Sequence, residues 1–229
     1  MKPDKLTAAQ RRAIMDDLLG RFVWPVEEEY MHEAFEVVTD AARRKHVVLW
    51  PRESARAEPP FGRWLHEMAH ALLAESVHPQ FRKPFFSKET AAPVRATYTP
   101  LFEAALDWYV QALLMDVAPG PQGADLDERF RMSAHMLRQG HALPSVEFVA
   151  DAGLALASFK RWRGLEIDTQ GKLNLVVRAF GRAAPEKPTL FGLQSLSRGL
   201  MEAFGLHTAR LVCERGFERW RVEALKPTG

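Results

Sequence analysis

In the second half of the chain, glycine follows one helix-patterned segment after another: Gly140 after 125–139, Gly164 after 145–163, Gly181 after 172–180 and Gly205 after 189–204. Glycine accepts the left-handed conformation that closes a helix, so this punctuation predicts a run of helices and leaves little room for a sheet domain. Proline interrupts the first half instead. Pro51, Pro59 and Pro60 form a linker-like stretch, and Pro79, Pro84 and Pro93 make 77–98 irregular. Between these breaks, Thr7 and Gln10 have the form of a capping box for a helix closed at Gly20. A helix is predicted from Val26 to Lys45 on the stripe Tyr30, Ala34, Val37, Val38 and Ala41, and another from Phe61 to Ser76. Thr99-Pro100 supplies an N-cap and a first-position proline for a helix reaching Met115, before Pro119-Gly120. The short apolar run His46–Trp50, ended by Pro51, is the best strand. The last segment, 209–225, reads either as a hairpin turning at Arg215-Gly216 or as one more helix.

A chain of 229 residues with 47% hydrophobic and 26% charged residues can bury a sizeable core, which excludes a disordered tail or a fibrous repeat. The net charge of +2 argues against a nucleic-acid partner bound by phosphate neutralisation and leaves only a local basic patch such as Phe81–Lys88. That segment reads as a connecting loop anchored by its phenylalanines. The single cysteine, Cys213, excludes an intramolecular disulfide and a four-cysteine zinc ribbon, and implies a reducing compartment; it is expected to be buried and inert. The first residues carry no apolar signal core, and charges or turn residues interrupt every apolar stretch before 18 residues, so the expectation is a cytoplasmic chain with no membrane partner.

The chemistry lies in Trp64–Leu73, which contains His66-Glu67-Met-Ala-His70. On a helix the two histidines lie one turn apart and can point at one metal, while Glu67, rotated by about 100°, can reach a metal-bound water. Leu65, Met68, Ala69, Leu72 and Leu73 form an apolar stripe beside this set, as expected of a half-buried helix. The competing reading is that both histidines are boundary residues paired with Glu67 or Glu75. A third ligand is needed, and two candidates exist. Glu103 and Asp107 lie one turn apart on a later helix, where Glu103 can ligate and Asp107 can hold a ring N–H. His78 is nearer in sequence, but on a continued helix it lies about 12 Å farther along the axis.

With its His-Glu-x-x-His helix the chain resembles the zincin metallopeptidases. Leu73 and Ser76 stand where the metzincin branch has glycine and histidine. The segment Glu103-Ala-Ala-Leu-Asp107 resembles the ExxxD helix of gluzincin-type families and, with Ala112–Met115, is similar to the ImmA/IrrE-type proteases. This resemblance spans residues 46–116. It implies zinc held by His66, His70 and Glu103, with Glu67 as general base and Asp107 behind a ligating imidazole. His66–Leu72 is also similar to the SprT-like proteases, whose third ligand is a histidine, for which His78 is available.

The expectation is therefore a mainly helical α+β protein, with a zincin-like core at 1–120 containing a short sheet and a helical region at 121–229 packed on it. The expected function is zinc-dependent hydrolysis of a protein or peptide substrate. Tyr98, Tyr109 and His141 are candidate donors to a developing oxyanion. The alternatives are a metal-binding or regulatory protein without turnover and a DNA-associated protease of the SprT-like kind.

Overall fold

The computed structural model describes residues 6–51, 61–138, 145–165 and 168–225. The fold is mainly helical α+β: helices α1 (Ala8–Leu19), α2 (Phe61–Ser76), α3 (Ala92–Val117), α4 (Pro119–Arg138), α5 (Val146–Arg163), α6 (Gly171–Arg182) and α7 (Leu190–Glu202), with strands β1 (Val26–His32), β2 (Glu36–Asp40), β3 (Lys45–Pro51), β4 (His207–Glu214) and β5 (Phe217–Ala224). No helix among the described residues is long and apolar enough to cross a membrane. Two compact units form, one from residues 1–82 with 110–124 and the other from 83–109 with 125–229. α3 and α4 each contribute residues to both units.

In the first unit the predicted helix over 26–45 does not exist. β3 is the central strand of a three-stranded sheet, with β1 parallel on one side and β2 antiparallel on the other. A short central strand needs partners for both rows of its backbone N–H and C=O groups, and 26–40 supplies them. Residues 36–38 are exposed, buried and exposed in turn, a period of two that the stripe of Val37 and Val38 conceals. The β2–β3 turn places Arg44 at φ 53° and is tied by the Arg43 amide donating to Asp40 Oδ1 at 2.9 Å.

α2 packs on β2 and is more deeply buried than its stripe implies. Leu65, Met68, Ala69, Leu72 and Leu73 are buried as expected, but so are Trp64, Ala71 and Ala74. Its C-terminal end carries Glu75, whose Oε1 accepts the Val23 and Trp24 amides at 2.7 and 3.1 Å and whose Oε2 lies 2.9 Å from His46 Nε2. His46 is fully buried, stacked on Trp24 and edge-on to Phe22, with Nδ1 3.0 Å from Thr39 Oγ1. Sheet, α2 and the segment after α1 therefore meet at one polar cluster.

The second unit is built from sequence neighbours: α5 on α6, α6 on α7, α7 on β4, and the β4–β5 hairpin. Ser145 caps α5, and Gly164 closes it at φ 69°, as its position predicts. Arg215 and Gly216, at φ 54° and 81°, make the turn between Glu214 and Phe217, so the final segment is the hairpin. Gly205 also adopts positive φ, whereas Gly181 lies inside α6 and Gly140 lies outside the described residues. Residues 85–87 bridge to β5, with the Trp220 amide donating to Phe85 O and the Ser87 amide to Trp220 O, both at 2.7 Å. This pairing is why 83–109 belongs with the later helices.

α3 starts at Ala92, seven residues before the predicted Thr99-Pro100 start, and Pro100 lies inside it. The hydroxyls of Thr97 and Thr99 donate to the carbonyls of Pro93 and Arg95, at 2.9 and 2.8 Å, instead of capping a new helix. The Pro119-Gly120 pair opens α4, because proline suits a first helical turn. Cys213 is exposed, contrary to the buried position expected of it: it stands on a two-stranded hairpin, where alternate side chains face solvent.

Two measurements check this packing. A Cβ at Gly153 of α5 would lie 2.3 Å from Val176 Cγ1 of α6. Gly153→Ala should therefore lower unfolding free energy by about 1–3 kcal/mol in urea despite alanine's better helix propensity, and Val176→Ala should recover part of the loss. Burial of His46 holds its pKa below the ordinary value, against the opposing pull of Glu75, while Arg82 adds to the lowering. The unfolded chain then binds a proton that the folded chain refuses. Stability should fall as pH drops below about 6.5 and keep falling until the folded pKa is passed, and His46→Gln should flatten that part of the profile.

Candidate metal centre

The deep burial of α2 forces its polar side chains to find partners. His66 and His70, one turn apart, turn their Nε2 atoms toward each other at 3.2 Å, with ring planes at 77°. His70 is 7% exposed and His66 half-buried. His70 Nδ1 lies 2.9 Å from the Phe81 carbonyl, an acceptor only, so Nδ1 carries the proton and Nε2 keeps its lone pair.

That carbonyl is delivered by a short 3-10 turn, Pro79–Phe81, which follows α2. The amides of Val77 and His78 donate to Leu73 O, and His78 caps the turn with Nδ1 accepting the Gln80 amide at 3.2 Å. The Phe81 side chain is fully buried and anchors the turn. His78 thus shapes the chain that braces His70.

The next residue, Arg82, donates through Nε to Val37 O at 2.8 Å and through a terminal nitrogen to Glu67 Oε2 at 2.7 Å. The Arg82 and Glu67 side chains are 12% and 25% exposed, so this ion pair is largely screened from water. In sequence the loop containing Arg82 reads as a connection, and the signal for Arg82 is a basic residue directly after an apolar anchor.

Within the first unit, two imidazoles of one helix thus turn ring nitrogens toward a common point where a metal could sit. Ligand atoms around a tetrahedral zinc with bonds of about 2.0–2.1 Å are about 3.3–3.4 Å apart, which the two Nε2 atoms already approach. Two neutral imidazoles and a carboxylate are also a donor set that suits zinc. Glu103 is exposed, whereas Asp107, one helical turn later, is half-buried. The brace on His70 is a backbone carbonyl, in the role that the resemblance gives to Asp107.

The candidate oxyanion donors have other surroundings. Tyr98 is buried and its hydroxyl lies 3.0 Å from His207 Nδ1. Tyr109 is buried too, and burial pushes its phenol up to about 12. His141 lies outside the described residues. Glu75 is engaged with His46 and two backbone amides, and so does not pair with the motif histidines in the way the competing reading required.

The chain matches no protein-family model, no curated protein and no solved structure.

Metal titration checks the geometry. Protein freed of metal and dialysed against zinc at neutral pH should retain about one equivalent per chain, and His66→Ala or His70→Ala should weaken binding by about 10²-fold or more. Among Glu103→Ala, Asp107→Ala and His78→Ala, the variant that weakens binding as strongly as the two histidine variants identifies the third ligand.

Proposed function

We propose that this chain is a zinc-dependent peptidase in which His66 and His70 hold the metal together with a third ligand and Glu67 is the general base. One observation carries the reading: the Nε2 atoms of His66 and His70 stand 3.2 Å apart while the other nitrogen of His70 is committed to the Phe81 carbonyl. A lone pair is thereby aimed at the point where the second imidazole converges. The resemblance to the zincin metallopeptidases supports the same chemistry.

A zinc ion held by this set would polarise a peptide carbonyl and acidify a bound water. Glu67, on the same helix but rotated by about 100° from His66, takes the proton of the attacking water as the carbon–oxygen bond forms. It returns that proton to the departing amine as the carbon–nitrogen bond breaks. Arg82 engages Oε2 of Glu67 and is itself fixed by Val37 O, so the base is held in one orientation. Peptide-bond hydrolysis needs only water and the substrate.

A second reading, a metal-binding or regulatory protein without turnover, draws on the same ion pair. A guanidinium 2.7 Å from Glu67 Oε2 competes for the carboxylate that must accept the proton. In that case Arg82 restrains the base instead of orienting it.

Cleavage of a mixed library of fluorogenic peptides by the zinc-loaded chain separates the two. On the peptidase reading the wild type cleaves, Glu67→Gln keeps its zinc and fold but loses about 10²–10⁴-fold in rate, and Arg82→Gln is slower. A silent wild type with a cleaving Arg82→Gln variant would establish restraint by Arg82. A Glu67→Gln variant as active as the wild type would reject the mechanism.

A further inference from the structure

In the second unit a cleft of about 520 Å³ opens between α6 and α7, and no residue assigned a metal role is among those that line it. Four cations line it, Arg178 and Arg182 from α6, Lys187 from the connection and Arg198 from α7, against one carboxylate, Glu202. Among the described residues Arg178, Arg182 and Lys187 make no side-chain ion pair, and Arg198 reaches Glu202 only at 3.6 Å with both exposed. The neighbouring Glu186 is not available to neutralise them, because Arg161 holds both of its oxygens at 2.6–2.8 Å.

This arrangement carries a cost. Arg178 and Arg182 are one turn apart on one helix face, where like charges destabilise by a few tenths of a kcal/mol, and the other two cations add to the repulsion. A bound anion removes it. The N-terminal turn of α7, at Phe191 and Gly192, also lines the cleft and adds the positive end of a 13-residue helix. The floor is made of small residues: a Cβ at Gly192 would approach the Tyr109 hydroxyl oxygen to 3.0 Å, and one at Gly199 would meet Ala179 Cβ at 3.5 Å.

The volume lies in the range of sites for whole organic ligands and far exceeds one inorganic phosphate. Two apolar side chains left unusually exposed line the same cleft, Phe191 at 81% and Leu175 at 48%. A cationic wall beside an exposed aromatic suits a ligand that joins phosphates to a flat ring. We propose that the cleft between α6 and α7 binds a free nucleotide, with its phosphates against Arg178, Arg182, Lys187 and Arg198 and its base against Phe191 and Leu175. The proposal is independent of the metal chemistry on α2, and no catalytic role is attached to it.

Calorimetric titration of the full chain tests it with ADP, GDP, CDP and UDP, with pyrophosphate and adenosine as partial ligands and a single-stranded oligothymidine as the polymer. At least one nucleoside diphosphate should bind at least about tenfold more tightly than pyrophosphate or adenosine. The Arg178→Ala/Arg182→Ala pair should weaken it by about tenfold or more, and Glu202→Gln should tighten it. Phe191→Ala should weaken the nucleotide and leave pyrophosphate unchanged. All four side chains are exposed, and circular dichroism confirms that the variants remain folded. No diphosphate binding at about 1 mM, equal binding of pyrophosphate and the nucleotides, or tighter binding of the oligothymidine would each overturn the proposal.

Discussion

A helix buried on more than one face cannot leave its polar side chains unpartnered, and α2 carries several of them into the interior of the first unit. Each has a different solution. Glu75 takes two backbone amides and His46, Glu67 takes Arg82, and His70 takes the Phe81 carbonyl. These partners come from the segment after α1, from the sheet and from the turn after α2, so satisfying one helix fixes where three other pieces of the unit lie. Breaking a buried pair by removing one member costs about 3–5 kcal/mol, a large share of a typical domain's stability.

The proposed chemistry uses the same restraints. The Phe81 carbonyl fixes the tautomer of His70, and Arg82, the next residue along, fixes Glu67 and is itself tied to β2. One dipeptide thereby sets both the ligand and the base. A small shift of the turn would disturb both, which gives the buried Phe81 ring and the His78 cap an importance that their chemistry alone does not suggest. In the other unit the balance is reversed. The α6–α7 cleft gathers exposed cations that destabilise one another, and the gain lies in what they can bind.

Some features need only a few consecutive residues, and these were legible. The capping box of Thr7 and Gln10, the span of α2 from Phe61 to Ser76 and the Gly164 stop follow from interactions within about four residues. The mainly helical α+β class follows from the same local signals, and so does the placing of His66 and His70 on one helix.

What depends on distant partners was not legible. The stripe over 26–45 fits a helix as well as it fits two strands, and only the unpaired edges of β3 decide between them. Glu103 and Asp107 are equally good carboxylates in sequence, one turn apart, and nothing within a few residues of either marks it as a ligand. Arg82 meets Glu67 and Val37 only in the folded chain, and the basic cleft forms only where α7 turns back on α6. The sequence by itself determined the local elements and the donor types, because capping, turn and spacing energies act over one or two helical turns. Only the tertiary structure decided the pairings, because burial and charge compensation depend on which groups are brought together in space.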